Sequence, residues 1–340
     1  MDKENSIGKK LKEIMGKAGP VIAVIILCIF LTIRTDRFLT INNIMNIARQ
    51  TSMSGFLALG MMVCILTAGI DLSVGFTMTL STIVMAKCAV EIGLTPLLCL
   101  VICVVTGALL GLINGLLLTK CKLPHPFIST MGTQNIYKGI GLVLTGATPI
   151  AGMPMIISWA GSAAVGKSTG TILDKIPVSF ILMLIMYFIF SIFLNYTRLG
   201  RHIYAVGGSI TTAELSGINV DFVRTSVYVI SGIMAALGGI IAVGRSDSAY
   251  PLSGLLLEND AIAAVIIGGT SFFGGKGNVL GTFFGVLLIS VLRNGLNLLK
   301  VSSDMQTIFL GVIIIIAVFI DVVRNGGFKR VKRMKKDEEK

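Results

Sequence analysis

The chain is short of charge, of histidine and of any paired arrangement of cysteines. Only 14% of its 340 residues are charged, against about 25% in an ordinary soluble domain. A soluble fold of this length would lack the charges to cover its surface. The two histidines, His125 and His202, fall in no H-E-x-x-H pattern, and no G-x-S-x-G turn occurs, so zinc-hydrolase and serine-hydrolase chemistry is not expected. The six cysteines (Cys28, Cys64, Cys88, Cys99, Cys103 and Cys121) lie in or beside apolar stretches without a C-x-x-C pair. They read as small apolar packing residues rather than metal ligands. No catalytic residue, metal or cofactor bound by this chain is expected.

What the chain has is apolar length. It is 54% hydrophobic, with a mean hydropathy of +0.87. Roughly 20 mainly apolar residues cross a hydrocarbon core of about 30 Å as a helix. Lipid offers the backbone no partner, so only helices or a closed barrel cross it. The apolar runs are continuous rather than alternating, which excludes barrel strands. The expected fold is therefore an all-α integral membrane protein of about ten transmembrane helices. They are placed near 18–33, 52–70, 72–92, 95–119, 123–146, 176–196, 226–244, 260–275, 277–298 and 305–323. The run Gly19 to Ile33 continues into Arg34 without a small-residue cleavage pattern and reads as a retained span.

The net charge of +12 does not point to nucleic acid, because the basic residues flank apolar runs, the pattern that suits lipid headgroups and sets topology. With the N-terminus taken as cytoplasmic, the inside connections hold most of the lysines and arginines. Arg34, Arg37, Arg49, Lys167, Lys175, Arg245 and Lys300 fall outside. Both ends are expected inside. The organisation is a cytoplasmic segment over 1–17, a membrane domain over 18–323 and a basic cytoplasmic tail over 324–340 that contains Lys329-Arg330-Val331-Lys332-Arg333. Gly161 to Ser168 matches the P-loop spacing G-x-x-x-x-G-K-[ST]. A P-loop needs a strand-to-helix turn of an α/β domain, and a short loop facing away from cytoplasmic ATP cannot supply one. ATP hydrolysis is not expected in this chain.

Polar residues at membrane depth are costly, by about 2.5–3.5 kcal/mol on insertion scales, and so usually face protein or water. Asp71 and Ser73 lie among the glycines of Leu66-Thr67-Ala68-Gly69-Ile70-Asp71-Leu72-Ser73-Val74-Gly75. Two readings stay open for them: a pathway or gate element, or a tight turn in which Asp71 caps the following helix. Thr133, Gln134 and Asn135, with Tyr137 and Lys138, can either bond the hydroxyls of a passing solute or tie helices together. Asn114 carries the same ambiguity, whereas the ladder Gly107, Gly111, Gly115 reads as close helix packing. Glu258 and Asp260 stand at the outer entrance of the eighth span, where they cap its N-terminus or meet a partner protein.

The connection over about 197–225 is polar and lies inside. Within it Ala213-Glu214-Leu215-Ser216-Gly217-Ile218-Asn219-Val220 fits a short helix closed by Gly217. At this point the sequence resembles the ribose-type permease subunits of ABC importers, within the wider group that includes branched-chain amino-acid permeases. The resemblance runs from about Phe38 to Asp321. Its marks are Phe38-Leu39-Thr40-Ile41-Asn42-Asn43, Ala68 to Gly75, Leu199-Gly200-Arg201, Ala205-Val206-Gly207-Gly208, Leu215 to Val220, Asp260 to Ser271, Gly274-Gly275-Lys276-Gly277 and Asn294 to Leu299. Two departures stand out. The family has a glycine-tyrosine-glutamate-leucine run where this chain has Leu256-Leu257-Glu258-Asn259, and a polar residue, often asparagine, where it has Ser209.

The resemblance implies a type II importer architecture in a bacterial inner membrane. A second permease copy, identical or paralogous, would pair with this one. A cytoplasmic ABC ATPase would use the ATP, and an extracytoplasmic sugar-binding protein would deliver ribose or another simple monosaccharide. It also implies that Ser209, Ala213, Glu214, Leu215, Ser216 and Gly217 form the helix that couples to the ATPase. Asp71, Ser73, Asn114, Thr133, Gln134 and Asn135 are the candidates for the translocation path or gate. Glu258 and Asp260 are the candidates for the edge facing the binding protein. Other cargoes within the family, such as a nucleoside, autoinducer or amino acid, and an ion-coupled secondary transporter are the competing readings.

Overall fold

The computed structural model describes residues 19–166 and 175–324. The expected segment 1–17, the tail beyond Arg324 and the Lys167-Ser168 end of the P-loop-like run lie outside the described residues. Among the described residues the structure is α-helical apart from one short ribbon and an isolated bridge between Ala164 and Pro177. Helix α1 (Gly19–Arg34) leads to α2 (Ile41–Leu66), α3 (Val74–Ala86) with a π-helical turn at Lys87–Glu91, α4 (Pro96–Thr119), α5 (Pro126–Thr145), α6 (Met155–Ser162), α7 (Val178–Tyr196), α8 (Arg198–Gly208), α9 (Ile210–Leu215), α10 (Val220–Ser246), α11 (Leu257–Ile267), α12 (Val279–Leu298) and α13 (Ser303–Arg324). Strands β1 (Ile150–Ala151) and β2 (Ser248–Ala249) pair antiparallel, with Ile150 opposite Ala249.

Local chemistry sets many of the helix ends. Pro96 and Pro126 occupy first positions, where the missing N–H costs nothing. Asn219 and Asn278 accept from Phe222 N and Leu280 N to open α10 and α12. Gly146, at φ +58°, closes α5 in the left-handed conformation.

Among the described residues, seven helices are long and apolar enough to cross a membrane: α2, α3 with its π-helical turn, α4, α7, α10, α12 and α13. The other three expected spans fall on α1, α5 and α11. Helix α1 is apolar but shorter. Helix α5 has 20 residues but carries Gln134, Asn135 and Lys138. Helix α11 has 11 residues, about half of what a span takes. Helix α2 begins at Ile41 rather than near residue 52, which moves Arg49 from a connection into a helix. Asn43 explains the earlier start: it donates to Phe38 O at 2.9 Å and exchanges amide bonds with Asn294 of α12.

Helix α10 is the central element and packs on α2, α3, α4 and α6. The glycine ladder of α4 meets it as expected. A Cβ at Gly111 would overlap the carbonyl of Tyr228, one at Gly115 would press on Thr225, and one at Gly232 would overlap the carbonyl of Gly107. Such small-residue contacts let backbones approach where lipid gives helices no hydrophobic drive to associate. Outward faces are apolar: Ile315 and Phe319 of α13 and Phe188 of α7 are exposed, which suits a lipid surround.

The bundle has two distinct ends. At one, the β1–β2 ribbon and α6 are held by Asp247, which accepts from Met153 N at 3.0 Å and Ser158 Oγ at 3.2 Å. At the other, α8 packs beside the end of α2 and the 268–277 loop, and α9 packs on α8 and α10. Between the ends, the first turns of α3, just after the irregular stretch 67–73, meet the irregular stretch 250–256. Gly75 and Gly254 touch backbone to backbone, and the hydroxyls of Thr79 and Ser253 lie 3.1 Å apart. Irregular backbone within a bundle is tolerated where protein covers it.

Candidate functional site

The first polar cluster grows from the 67–73 break. One carboxylate oxygen of Asp71 accepts from Ser73 N at 3.1 Å and Ser73 Oγ at 2.7 Å, an Asx turn ahead of α3 rather than a cap on the helix, whose N-cap position is Ser73. The other oxygen accepts from Ser231 Oγ of α10 at 2.8 Å. Asn114 of α4 donates to Ser73 Oγ at 2.7 Å, and Thr133 of α5 donates to Asn114 Oδ1 at 2.7 Å. Tyr228 and Thr130 both donate to Ile70 O. Asp71 is 1% exposed and Ser73 and Asn114 are fully buried. Ser231 stands about 16 Å along α10 from Val220, at 1.5 Å per residue. The cluster therefore ties α4, α5 and α10 to the break near the middle of the bundle.

The remaining path candidates separate from it. Gln134 turns to Glu258 of α11, donating to Oε1 at 3.0 Å. Asn135 is exposed and bonds only to Met131 O of its own helix. Glu258 and Asp260 lie in the first turn of α11, where a helix dipole favours carboxylates, but both are buried. Asp260 accepts from Arg293 Nη2 of α12 at 2.7 Å. Glu258 Oε2 and Arg293 Nε are buried and have no hydrogen-bond partner among the described residues. Leu256, just before this helix, has φ +64°, a conformation that glycine tolerates better than leucine.

The third element is α8–α9. Ile203 and Val206 bury one face of α8. Gly207 abuts the carbonyl of Leu66 so closely that any Cβ would overlap it, and it also contacts Gly275. Gly275 N donates to Leu66 O at 2.9 Å, and Tyr204 Oη donates to Gly277 O at 3.1 Å. The end of α2, the 268–277 loop and α8 thus share one backbone junction. Ser209 caps α9 by accepting from Thr212 N at 3.2 Å. Ala213 is buried, Gly217 closes the turn at φ +78°, and Glu214, Leu215, Ser216 and Gly217 are exposed. Leu215 is 85% exposed, an unusual position for a leucine in a polar loop.

Sequence reasoning missed Ser231, Tyr228 and Thr130 as partners of the 67–73 break, since hydroxyls in apolar helices carry no pattern of their own. Arg293 gave a usable signal, an ionisable residue inside an apolar run. Among the described residues, no group of three His, Cys, Asp or Glu could hold a metal ion.

The family described as the branched-chain amino acid transport system / permease component matches residues 43–318. The ribose import permease protein of Bacillus subtilis (strain 168) is 43% identical over 91% of this chain and 93% of its own length. The D-allose transport system permease protein of Escherichia coli (strain K12) is 41% identical over 88% of this chain and 89% of its own. The ribose import permease protein of the same strain is 39% identical over 88% and 92%. No solved structure matches the chain.

Proposed function

The chain belongs to the branched-chain amino acid transport system permease family, and we propose on that footing that it is the membrane-spanning translocation subunit of an ATP-driven monosaccharide importer. Ribose is the first cargo to test, because relatives named for ribose and for allose each align over about nine-tenths of the chain. The chain itself is not the enzyme in this reading. A separate cytoplasmic ABC ATPase hydrolyses ATP, an extracytoplasmic binding protein delivers the sugar, and a second permease copy completes the path in the bacterial inner membrane.

The observation that carries the mechanism is the junction of Leu66, Gly207 and Gly275. Helix α9 presents Leu215 and Glu214 outward, as a segment that enters a groove on the ATPase would. Motion there passes through α8 to the end of α2 and the loop after α11 without a flexible side chain in between. Those two elements lead to the Asp71 cluster and to Glu258. In this reading the Asp71 cluster is a gate element that holds one arrangement of α4, α5 and α10. The α8 end faces the cytoplasm with both termini. The ribbon end faces the binding protein, with Glu258 and Asp260 buried beneath that edge rather than displayed on it.

A ligand shifts a two-state equilibrium only through its differential affinity for the states, so binding-protein docking and ATP supply the bias. The test is ribose uptake into proteoliposomes that hold the permease with its ATPase and binding protein. ATP-dependent uptake is expected, together with its loss when Glu214 to Gly217 are replaced by a flexible linker while ATP hydrolysis continues. Uptake driven by an ion gradient without ATP would overturn the importer reading, and normal uptake in the linker variant would overturn the coupling role of α9.

A further inference from the structure

A second polar feature lies toward the ribbon end, apart from the Asp71 cluster. Helices α2, α10, α11 and α12 surround a cleft of about 200 Å³, smaller than a drug-sized site and scaled to a small solute. Its polar lining is Arg49, Gln50 and Ser54 from α2, Arg245 from α10, Asp260 from α11 and Arg293 from α12. Aliphatic groups fill the intervals. Arg245 sits at the rim and donates to Asn46 Oδ1 at 3.1 Å, while Asp260 is buried at the base and paired with Arg293. The side chains of Gln50 and Ser54 hydrogen-bond to no other described residue, and Arg293 keeps a buried Nε donor without a partner.

Ionisable groups set into a bundle of apolar helices are costly and mark a function more often than a packing need. The donor and acceptor set indicates which solute fits. Asp260 is engaged by Arg293, and Arg49 and Arg245 form no ion pair with another described residue, so the cleft keeps a positive charge beside the neutral donors and acceptors of Gln50 and Ser54. A sugar hydroxyl both donates and accepts, so a carboxylate, an amide, a hydroxyl and guanidinium forks within one small cleft suit a neutral polyhydroxylated molecule.

We propose that this cleft contacts the cargo during passage, holding a neutral monosaccharide through Gln50, Ser54 and the flanking arginines. The proposal rests on the reading of the chain as a monosaccharide importer subunit. The assembled transporter, permease with ATPase and binding protein in proteoliposomes, tests it through the amount of radiolabelled ribose delivered per ATP hydrolysed. Gln50→Leu and Ser54→Ala are each expected to lower that ratio about tenfold, the scale of one lost hydrogen bond in a buried setting, and Gln50→Asn is expected to recover part of it. An unchanged ratio in both variants overturns the cleft assignment. If the wild-type transporter moves no ribose or other monosaccharide, the importer reading itself falls.

Failed assembly of a variant would mimic lost transport, so a second measurement uses Ser54→Cys in a chain whose six cysteines are replaced by serine or alanine. Its alkylation by a small neutral maleimide is expected to slow severalfold with ribose-loaded binding protein and not with the sugar-free binding protein. Equal slowing by the sugar-free protein assigns the cleft to protein docking and overturns the proposal. Slowing by ribose 5-phosphate but not by ribose assigns it to anions, with the same consequence.

Discussion

Two buried polar clusters stand close together in the bundle, and they differ in how fully their atoms are paired. Around Asp71, both carboxylate oxygens accept hydrogen bonds, and the chain of donors runs on through Ser73 and Asn114 to Thr133. Around α11, Glu258 Oε2 and Arg293 Nε are buried and have no partner among the described residues. A fully satisfied network rigidifies its surroundings and specifies one arrangement, whereas a partly satisfied one leaves hydrogen-bonding capacity at a cost. The first cluster accordingly locks one arrangement of α4, α5 and α10, a fixed point that a gate must release before it moves. The second is the one with chemistry left to offer, either to a rearranged state or to a solute in the adjoining cleft. The two meet where Gly75 touches Gly254, with Glu258 Oε2 beside Gly75, so a shift in one is felt by the other.

The largest expected effect breaks the complete cluster. Asp71→Ala removes the acceptor for Ser73 N, Ser73 Oγ and Ser231 Oγ. Each buried group left unsatisfied costs about 1–3 kcal/mol, and hydroxyl rotation recovers some of that, so a loss of about 3 kcal/mol is expected. Thermal unfolding of the detergent-solubilised permease reads it. A stability equal to wild type would remove the fixed point from the comparison.

Asp260→Ala tests the incomplete cluster and comes next in size. It leaves Arg293 without its carboxylate, but that arginine is 33% exposed. Solvent screening reduces the penalty below that of a fully buried pair, and about 1–2 kcal/mol is expected in the same assay. Replacing both members, as Asp260→Ala with Arg293→Met, is expected to recover part of the loss. A double variant less stable than the single one would mean that Arg293 has a role independent of Asp260.

An isosteric pair sharpens the contrast further. Glu258→Gln keeps the oxygen that accepts from Gln134 and alters only the oxygen that has no partner, so about 1 kcal/mol or less is expected. Asp71→Asn places an amide where both oxygens are engaged and is expected to cost more. Equal shifts in melting temperature for the two variants would show that pairing does not distinguish the clusters.

These clusters also mark how far the sequence could be read. Membrane residence followed from apolar length, and the close packing of Gly107, Gly111 and Gly115 followed from their spacing, because both depend on local pattern. Asp71 was legible as an expensive residue among glycines; one of its oxygens makes a local turn with Ser73 and the other reaches Ser231 of α10. Its partner Ser231 was not legible, since a pairing over that sequence distance is made only by packing. Gln134 and Thr133 are neighbours in sequence yet serve different clusters, because adjacent helical residues point about 100° apart. The start of α2 was read too late because Asn42, Asn43, Asn46, Arg49 and Gln50 interrupt the apolar run. The same residues then hid the cleft, which becomes visible only when Arg49 and Gln50 are recognised as helical.

The smallest expected effect concerns the backbone beneath the incomplete cluster. Leu256 adopts φ +64° immediately before α11, a conformation that costs an L-residue about 1–2 kcal/mol. Glycine removes that strain but gives back about 0.5–1 kcal/mol of chain entropy, and the partly exposed leucine side chain has little packing to lose. Leu256→Gly is therefore expected to stabilise the permease by about 0.5 kcal/mol, a small upward shift in its melting temperature. If the variant instead melts lower than wild type by more than Glu258→Gln does, the Leu256 side chain rather than the helix start holds the second cluster together. The strain at this turn would then be the condition for keeping both Glu258 and Asp260 buried.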